Sequence, residues 1–254
     1  MWGAYFIICG IKLSTAGTLT AIAFLIAEIV LYFETTKRGF SFTQFFLILI
    51  ISSSVAVLGA ALLSALEFQY SLTQIIQNQA GSSHIGGFLL VVPSIMIIAK
   101  WQRLPSLKVL DAAVLSWCAG YTIGRLVCFF DGDGCYGIET SSIFGMTFPN
   151  GIVPSYVPVY PTPLFESFYS LVILGVFYYL YDRKNAGEVP DGRIFFGASS
   201  WMFACRFAVE YIRTNPKYAG LSLAQWLCIP LTFGFSAANC FLRQKKSLTV
   251  MEKM

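Results

Sequence analysis

The sequence predicts an all-α, polytopic membrane helix bundle of about seven transmembrane helices, N-terminus outside and C-terminus cytoplasmic. Three observations carry that prediction. The 254 residues are 56% hydrophobic and 12% charged, with a mean hydropathy of +0.68, where a soluble domain carries roughly 25% charged residues. Long runs of Leu, Ile, Val and Phe approach the roughly 20 residues that cross a bilayer. Cations gather in alternate connections between those runs, as they do in cytoplasmic loops. A chain so poor in charge has too little polar surface to dissolve as a globule, so lipid is the solvent for most of it.

Seven apolar segments fit, at roughly 14–33, 42–66, 84–100, 107–130, 162–181, 193–212 and 222–242. The third and fifth are short, and the fourth carries Arg125. In lipid each segment must satisfy its own backbone hydrogen bonds, which makes helices the default. A transmembrane barrel would show short alternating segments instead.

Charge fixes the expected orientation. Lys37 and Arg38 follow the first segment, and Lys100, Arg103 and Lys108 follow the third. Arg183, Lys184 and Arg193 flank the connection after the fifth, and Arg243, Lys245, Lys246 and Lys253 close the chain. The other connections hold only Lys12, Arg213 and Lys217, and segments 67–83 and 131–161 have no Lys or Arg. An odd number of spans agrees with this alternation. Met1–Gly10 lacks the basic n-region of a signal peptide. A multi-pass membrane protein with a cytoplasmic C-terminus is expected.

No repeat or linker divides the chain, so 1–254 reads as a single membrane domain. The long non-apolar stretch is 131–161, rich in Gly, Pro, Ser and Thr. Its composition predicts a folded extracytoplasmic cap of turns more than a helix, and loops of this length tend to be functional. Seven cysteines, at 9, 118, 128, 135, 205, 228 and 240, fit apolar filler better than a disulfide framework. Cys128 and Cys135 share the outer side, but that alone is weak evidence for a bridge.

Topology converts position into depth. Arg125 lies 17 residues beyond Lys108, about 25 Å along a helix, in the outer half. His84 opens the third segment, Glu166 lies one turn into the fifth, and Arg206 and Glu210 end the sixth. Asp131, Asp133 and Glu139 belong to the loop. Ionisable groups from four helices and one loop therefore aim at one slab. A charge at that depth costs at least roughly 2.5–3.5 kcal/mol and usually has a partner.

Two readings of the arginines stand. They staple helices through Glu166 and Glu210, or snorkel to the interface; or they hold a lipid phosphate, which guanidinium groups bind in bidentate fashion. His84, the only histidine, is either an interfacial hydrogen-bonder or a general base. Gly86 and Gly87 would let a backbone or a ligand approach closely. Glu28 and Asp111, towards the inner ends of their helices, read as interfacial or paired charges. The run GDGCYG has no P-loop Lys-Ser/Thr, the lone His with scattered Cys has no zinc spacing, and no basic-aromatic stripe suggests nucleic acid. No metal and no cofactor is expected.

These residues carry a family resemblance. Ser83-His84-Ile85-Gly86-Gly87 resembles the His-Gly-Gly segment of prolipoprotein diacylglyceryl transferases. GRLVCFFDGD, residues 124–133, resembles their Gly-Arg-Leu-Gly-Asn-Phe-x-Asn-Gly-Glu signature. FGMTFP at 144–149 and YPTPLFE at 160–166 resemble the stretch leading into, and then forming, their His-Pro-Thr-Gln-Leu-Tyr-Glu motif. RFAVEYIR at 206–213 resembles their Arg-Phe-x-x-Glu-x-x-Arg helix. The matches keep their order over roughly 80–215. The chain departs from the family at Ile85, Cys128, Asp131, Asp133, Tyr160 and Met202, and Thr15-Ala16-Gly17 stands where the family has Trp-Tyr-Gly. Both signature arginines and Glu166 are retained; the departures fall on groups that would move protons.

The resemblance implies transfer of a diacylglyceryl group from phosphatidylglycerol to the lipobox cysteine of lipoprotein precursors, releasing glycerol phosphate. It implies catalytic roles for His84, Arg125 and Arg206. Gly86, Gly87, Asp131, Asp133, Glu166 and Glu210 would bind substrate or orient the arginines, with Asp133 as a second candidate base. The alternatives are a diverged lipid transferase with another acceptor, or a phospholipid-binding or transport protein without catalysis.

Overall fold

The structure is a computed structural model and describes residues 5–8, 11–69, 83–185 and 189–251. Cys9, Lys253 and most of the cation-free segment 67–83 lie outside the described residues. Each expected apolar segment is a helix: α1 Thr15–Lys37, α2 Phe42–Phe68, α3 His84–Trp101, α4 Ser106–Asp131, α5 Thr162–Asn185, α6 Arg193–Val209 and α7 Leu223–Met251.

The first five are long and apolar enough to cross a membrane. With 17 residues, α6 reaches only about 25 Å, short of a hydrocarbon core of about 30 Å. The apolar part of α7 is diluted by Gln225 and Asn239. The fold is that of a polytopic helical membrane protein.

Its surface is inverted relative to a soluble domain. Phe24, Leu25, Leu58, Ile97, Phe168 and Phe233 point outward. Buried residues include Glu34, Glu67, Asp111, Glu166, Arg206 and Glu210. Apolar side chains facing out over this area need an apolar solvent, and polar groups then turn inward to find partners.

Packing follows the same logic. Helix α1 lies along α4, α2 along α3, and α6 along α7, while α5 joins α4 to α6. The core at their centre includes Ile95, Leu110, Leu115, Phe195 and Phe203, and the Phe88 ring meets Phe203 edge-on at 4.9 Å. Helices α2 and α3 approach so closely that a Cβ on Gly86 would stand 2.2 Å from the Gly59 carbonyl oxygen. One on Gly59 would stand 2.3 Å from the Gly86 oxygen. Only glycine fits both sides of that crossing.

Asp111, near the start of α4, lies beside the first turn of α6. It is fully buried, and its carboxylate oxygens accept from the backbone N–H groups of Gly192 and Phe195, both at 2.8 Å. It thus caps the first turn of α6 from a neighbouring helix.

The loop after α4 folds without a helix. Strands Met146–Phe148 and Ser155–Val159 pair antiparallel, and Phe148 stacks on Tyr136 at 4.7 Å. Two further antiparallel ribbons are Tyr5–Ile8 with Ile11–Ser14 and Lys217–Tyr218 with Leu221–Ser222. The first of these precedes the apolar segment at 14–33, in a stretch for which composition predicts no element.

Candidate active site

The site lies where the start of α3, the end of α4, the start of α5 and the end of α6 meet under the 132–161 loop. Helix α5 begins at Thr162 behind Pro161, which cannot continue the preceding β-ribbon's hydrogen bonding and suits a helix start. This puts Glu166 one turn in. Helix α6 ends at Val209 and tightens into a single 3₁₀ turn, Glu210–Ile212, short of the helical 210–212 expected. The tightening brings Arg213 round to both Glu166 and Glu210.

Glu166 is the hub, with 0% of its surface exposed. Its Oε2 lies 2.6 Å from Arg125 Nε and accepts from the Tyr121 hydroxyl at 2.5 Å. Its Oε1 accepts from Arg213 Nη1 at 3.3 Å and from Arg206 Nη1 at 3.4 Å. Glu210, also buried, pairs with Arg206 and lies 3.6 Å from Arg213 Nε. Asn215 Nδ2 donates to its other oxygen at 2.6 Å.

Three guanidinium groups thus share two carboxylates, with Glu67 of α2 within electrostatic reach of Arg206, Arg213 and Glu210. In a low-dielectric interior such a lattice holds its members rigidly, because any unpaired charge there is expensive. Arg206 Nε is buried and has no hydrogen-bond partner among the described residues. A buried N–H left over on a guanidinium is a donor available to an anion.

Aromatic rings line the cluster. The Arg125 guanidinium sits 4.9 Å from the Tyr121 ring centroid, and the His84 ring lies 4.9 Å from the same ring. His84 is partly buried and within electrostatic reach of Arg206, Arg125, Glu166 and Arg213. Tyr169 stacks beyond Tyr121.

His84, Arg125, Glu166, Arg206 and Glu210 are therefore brought together. Gly86 and Gly87 are not among them: both are buried against α2, Gly87 close to the Ala56 carbonyl. Asp131 and Asp133 stand apart as well. The Asp131 backbone carbonyl receives Ile152 N–H at 2.9 Å, and Asp133 Oδ1 accepts from Cys135 N–H at 2.9 Å. Among the described residues neither forms an ion pair with an arginine. The Cys135 thiol, in the loop, is drawn down to about 7, first by a hydrogen bond from Cys128 and then by Arg125 and Arg213, against the opposing effect of burial.

Arg213, Tyr121, Tyr169 and Glu67 were not singled out from sequence. Arg213 closes the RFAVEYIR run three residues after Glu210, and Tyr121 precedes Arg125 by four, so helical spacing was the available signal. Arg213 also ties down the loop: its Nη1 donates to the Cys135 carbonyl at 2.9 Å, and its backbone bridges Gly137. A Cβ at Gly137 would stand 2.2 Å from the Ile212 oxygen, so this approach requires glycine.

Comparison with known proteins converges on one family. A family model described as prolipoprotein diacylglyceryl transferase matches residues 4–239. The chain is 26% identical over 235 residues to phosphatidylglycerol–prolipoprotein diacylglyceryl transferase 2 of Clostridium perfringens, covering 89% of this chain and 90% of that one. It is 28% identical to the Clostridium tetani protein of like name, over 87% of this chain and 89% of that one. A Leptospira interrogans protein of like name is 35% identical over 147 residues, 57% of this chain. The match spans only 45% of the Leptospira protein's own length.

Proposed function

This chain belongs to the prolipoprotein diacylglyceryl transferase family, and from that premise we propose that it is a diacylglyceryl transferase. It moves the diacylglyceryl group of phosphatidylglycerol to the lipobox cysteine of a lipoprotein precursor. The bond between the glyceryl carbon and the phosphate oxygen breaks, a carbon–sulfur bond forms, and glycerol phosphate leaves. The thiol proton passes to a base as the thiolate attacks.

The observation that carries this reading is the convergence of Arg125, Arg206 and Arg213 on buried Glu166, with Arg206 Nε left as a free donor. A leaving phosphate monoester gains negative charge in the transition state. Donors fixed in place beforehand stabilise that charge without reorganising. Arg125 and Arg206 take the phosphate, Glu166 and Glu210 hold them in register, and Tyr121 supports Arg125 through its ring face.

His84 takes the thiol proton in this scheme; it is the histidine nearest the family's position, displaced by one residue by Ile85. Asp133 is the second candidate for that role. Gly86 and Gly87 contribute by holding α3 against α2, which fixes the height of His84.

The seven helices cross the membrane as one domain over 1–254, N-terminus outside and C-terminus in the cytoplasm, in the inner membrane. The cation-rich alternate connections support this orientation, and the 131–161 loop then caps the site from the extracytoplasmic side.

Purified protein incubated with phosphatidylglycerol vesicles and a lipobox peptide should add the diacylglyceryl mass to the peptide's cysteine. No mass gain, with an authentic family enzyme active alongside, would remove the acceptor assignment.

A further inference from the structure

At the end of α4, two thiols that the transferase chemistry leaves unused meet the Asp133 carboxylate. The Sγ atoms of Cys128 and Cys135 and a carboxylate oxygen of Asp133 all lie within 4.8 Å of one another. Both cysteines are free thiols, and all three residues are partly open to the outside. We propose that Cys128, Asp133 and Cys135 bind a thiophilic divalent cation, with Zn²⁺ as the matching chemistry.

The donor set argues for this class. Two thiolates and a carboxylate suit a borderline-soft ion, and three protein ligands with an open fourth position for water is a common zinc arrangement. With metal–sulfur bonds near 2.3 Å and metal–oxygen bonds near 2.1 Å, tetrahedral ligands stand about 3.5–3.8 Å apart. Separations no greater than 4.8 Å close to that with side-chain rotation of about 1 Å.

The ligands are also anchored before any ion arrives. Cys128 lies on the last turn of α4. Asp133 Oδ1 receives the Cys135 N–H at 2.9 Å, which folds the turn between them. The Cys135 carbonyl is held by Arg213 at 2.9 Å and by the Thr162 hydroxyl at 2.5 Å. Preformed geometry of this kind lowers the ordering cost of binding.

Binding releases the two thiol protons to solvent and leaves the oxidation state of every atom unchanged. Two thiolates, a carboxylate and a dication carry one net negative charge, and that charge faces Arg125, whose Nη1 lies 3.9 Å from Cys128 Sγ. The occupied site therefore competes with the phosphate for the same guanidinium.

The metal assay does not depend on the transferase reading. Full-length protein, reduced with a phosphine and freed of metal by a chelator, is titrated in detergent with Co²⁺ and then with Zn²⁺. Thiolate-to-cobalt charge-transfer absorption should appear with about one equivalent of Co²⁺ and vanish on adding Zn²⁺. Cys135→Ser and Cys128→Ser should each lose that absorption, Asp133→Asn should weaken binding, and Cys240→Ser, at an exposed distant cysteine, should bind as the parent does. Cys135→Ser lies in the loop and keeps the test open should Cys128→Ser fail to fold. The proposal is overturned by absence of the band in the parent protein, by its survival in the Cys128→Ser/Cys135→Ser double variant, or by closure of the pair into a disulfide that leaves no thiols to titrate. Zn²⁺ inhibition of transfer that disappears in Cys135→Ser would add the coupling to Arg125; Zn²⁺ binding without inhibition would overturn the coupling alone.

Discussion

Arg125 Nε lies 2.6 Å from Glu166 Oε2, joining the end of α4 to the start of α5 through a carboxylate with no exposed surface. The other oxygen of that carboxylate serves Arg206 and Arg213. Glu166→Gln keeps the shape and removes the charge, so three guanidinium groups lose their common counter-ion. Removing one partner of a buried pair costs about 3–5 kcal/mol. The expected result is a large drop in thermal stability in detergent together with loss of transfer; an unchanged melting temperature would show that the hub is dispensable.

Arg206→Lys tests the phosphate role without removing a cation. Arg206 Nη1 engages both Glu166 and Glu210, and Nε remains available. Lysine offers one point charge in place of a planar fork. A charged hydrogen bond contributes about 1.5–3 kcal/mol, so kcat/KM for phosphatidylglycerol should fall about ten- to a hundredfold. Equal kinetics in the two proteins would exclude bidentate use of this guanidinium.

Much of this was legible in the sequence for a physical reason. Lipid forces apolar runs of fixed length, so all seven helices could be read from composition, and a charge inside such a run announces itself. That is why Arg125, Glu166, Arg206 and Glu210 were found. Arg213 escaped because it lies past the apolar run, where a cation is ordinary until the 3₁₀ turn at Glu210–Ile212 bends it back to Glu166. The capping role of Asp111 escaped because depth along a helix does not reveal that a neighbouring helix begins beside it. The glycine pair after His84 carried two readings, ligand approach or helix crossing, and spacing alone cannot separate them.

Gly86→Ala separates them experimentally. The added methyl would meet the Gly59 oxygen at 2.2 Å and Leu63 Cβ at 2.5 Å, so the helices must part. Overpacking of this kind costs about 1–3 kcal/mol. A lower melting temperature with KM for phosphatidylglycerol unchanged in the folded fraction marks a packing glycine. A raised KM at unchanged stability would return Gly86 to the substrate site.

Asp111→Asn leaves one carbonyl oxygen and turns an NH₂ group towards a backbone N–H of Gly192 or Phe195. One capping bond is lost and a donor faces a donor. The expected cost is about 1–2 kcal/mol of stability. Transfer per folded molecule should be retained, since Asp111 lies at the end of α4 opposite Arg125. Measuring both on the same preparation distinguishes a cap from a catalytic group.

Arg213→Lys addresses how the loop is held over the site. Arg213 bonds Glu166 with the same Nη1 that donates to the Cys135 carbonyl, while its Nε faces Glu210. One side chain thereby links the floor of the site to its cap. Lysine preserves the charge near Glu166 and Glu210 but cannot span three acceptors from one planar head. The Gly137–Arg213 backbone bridge does not depend on that side chain, so the variant should fold. Its loop should loosen, because a segment fixed by fewer bonds opens at lower free energy. Limited proteolysis should then cut within 132–161 faster than in the parent, and transfer should fall as the Glu166 lattice relaxes. Faster cleavage with full activity would mean that the cap serves stability alone. Unchanged cleavage with lost activity would instead make Arg213 a third phosphate ligand beside Arg125 and Arg206.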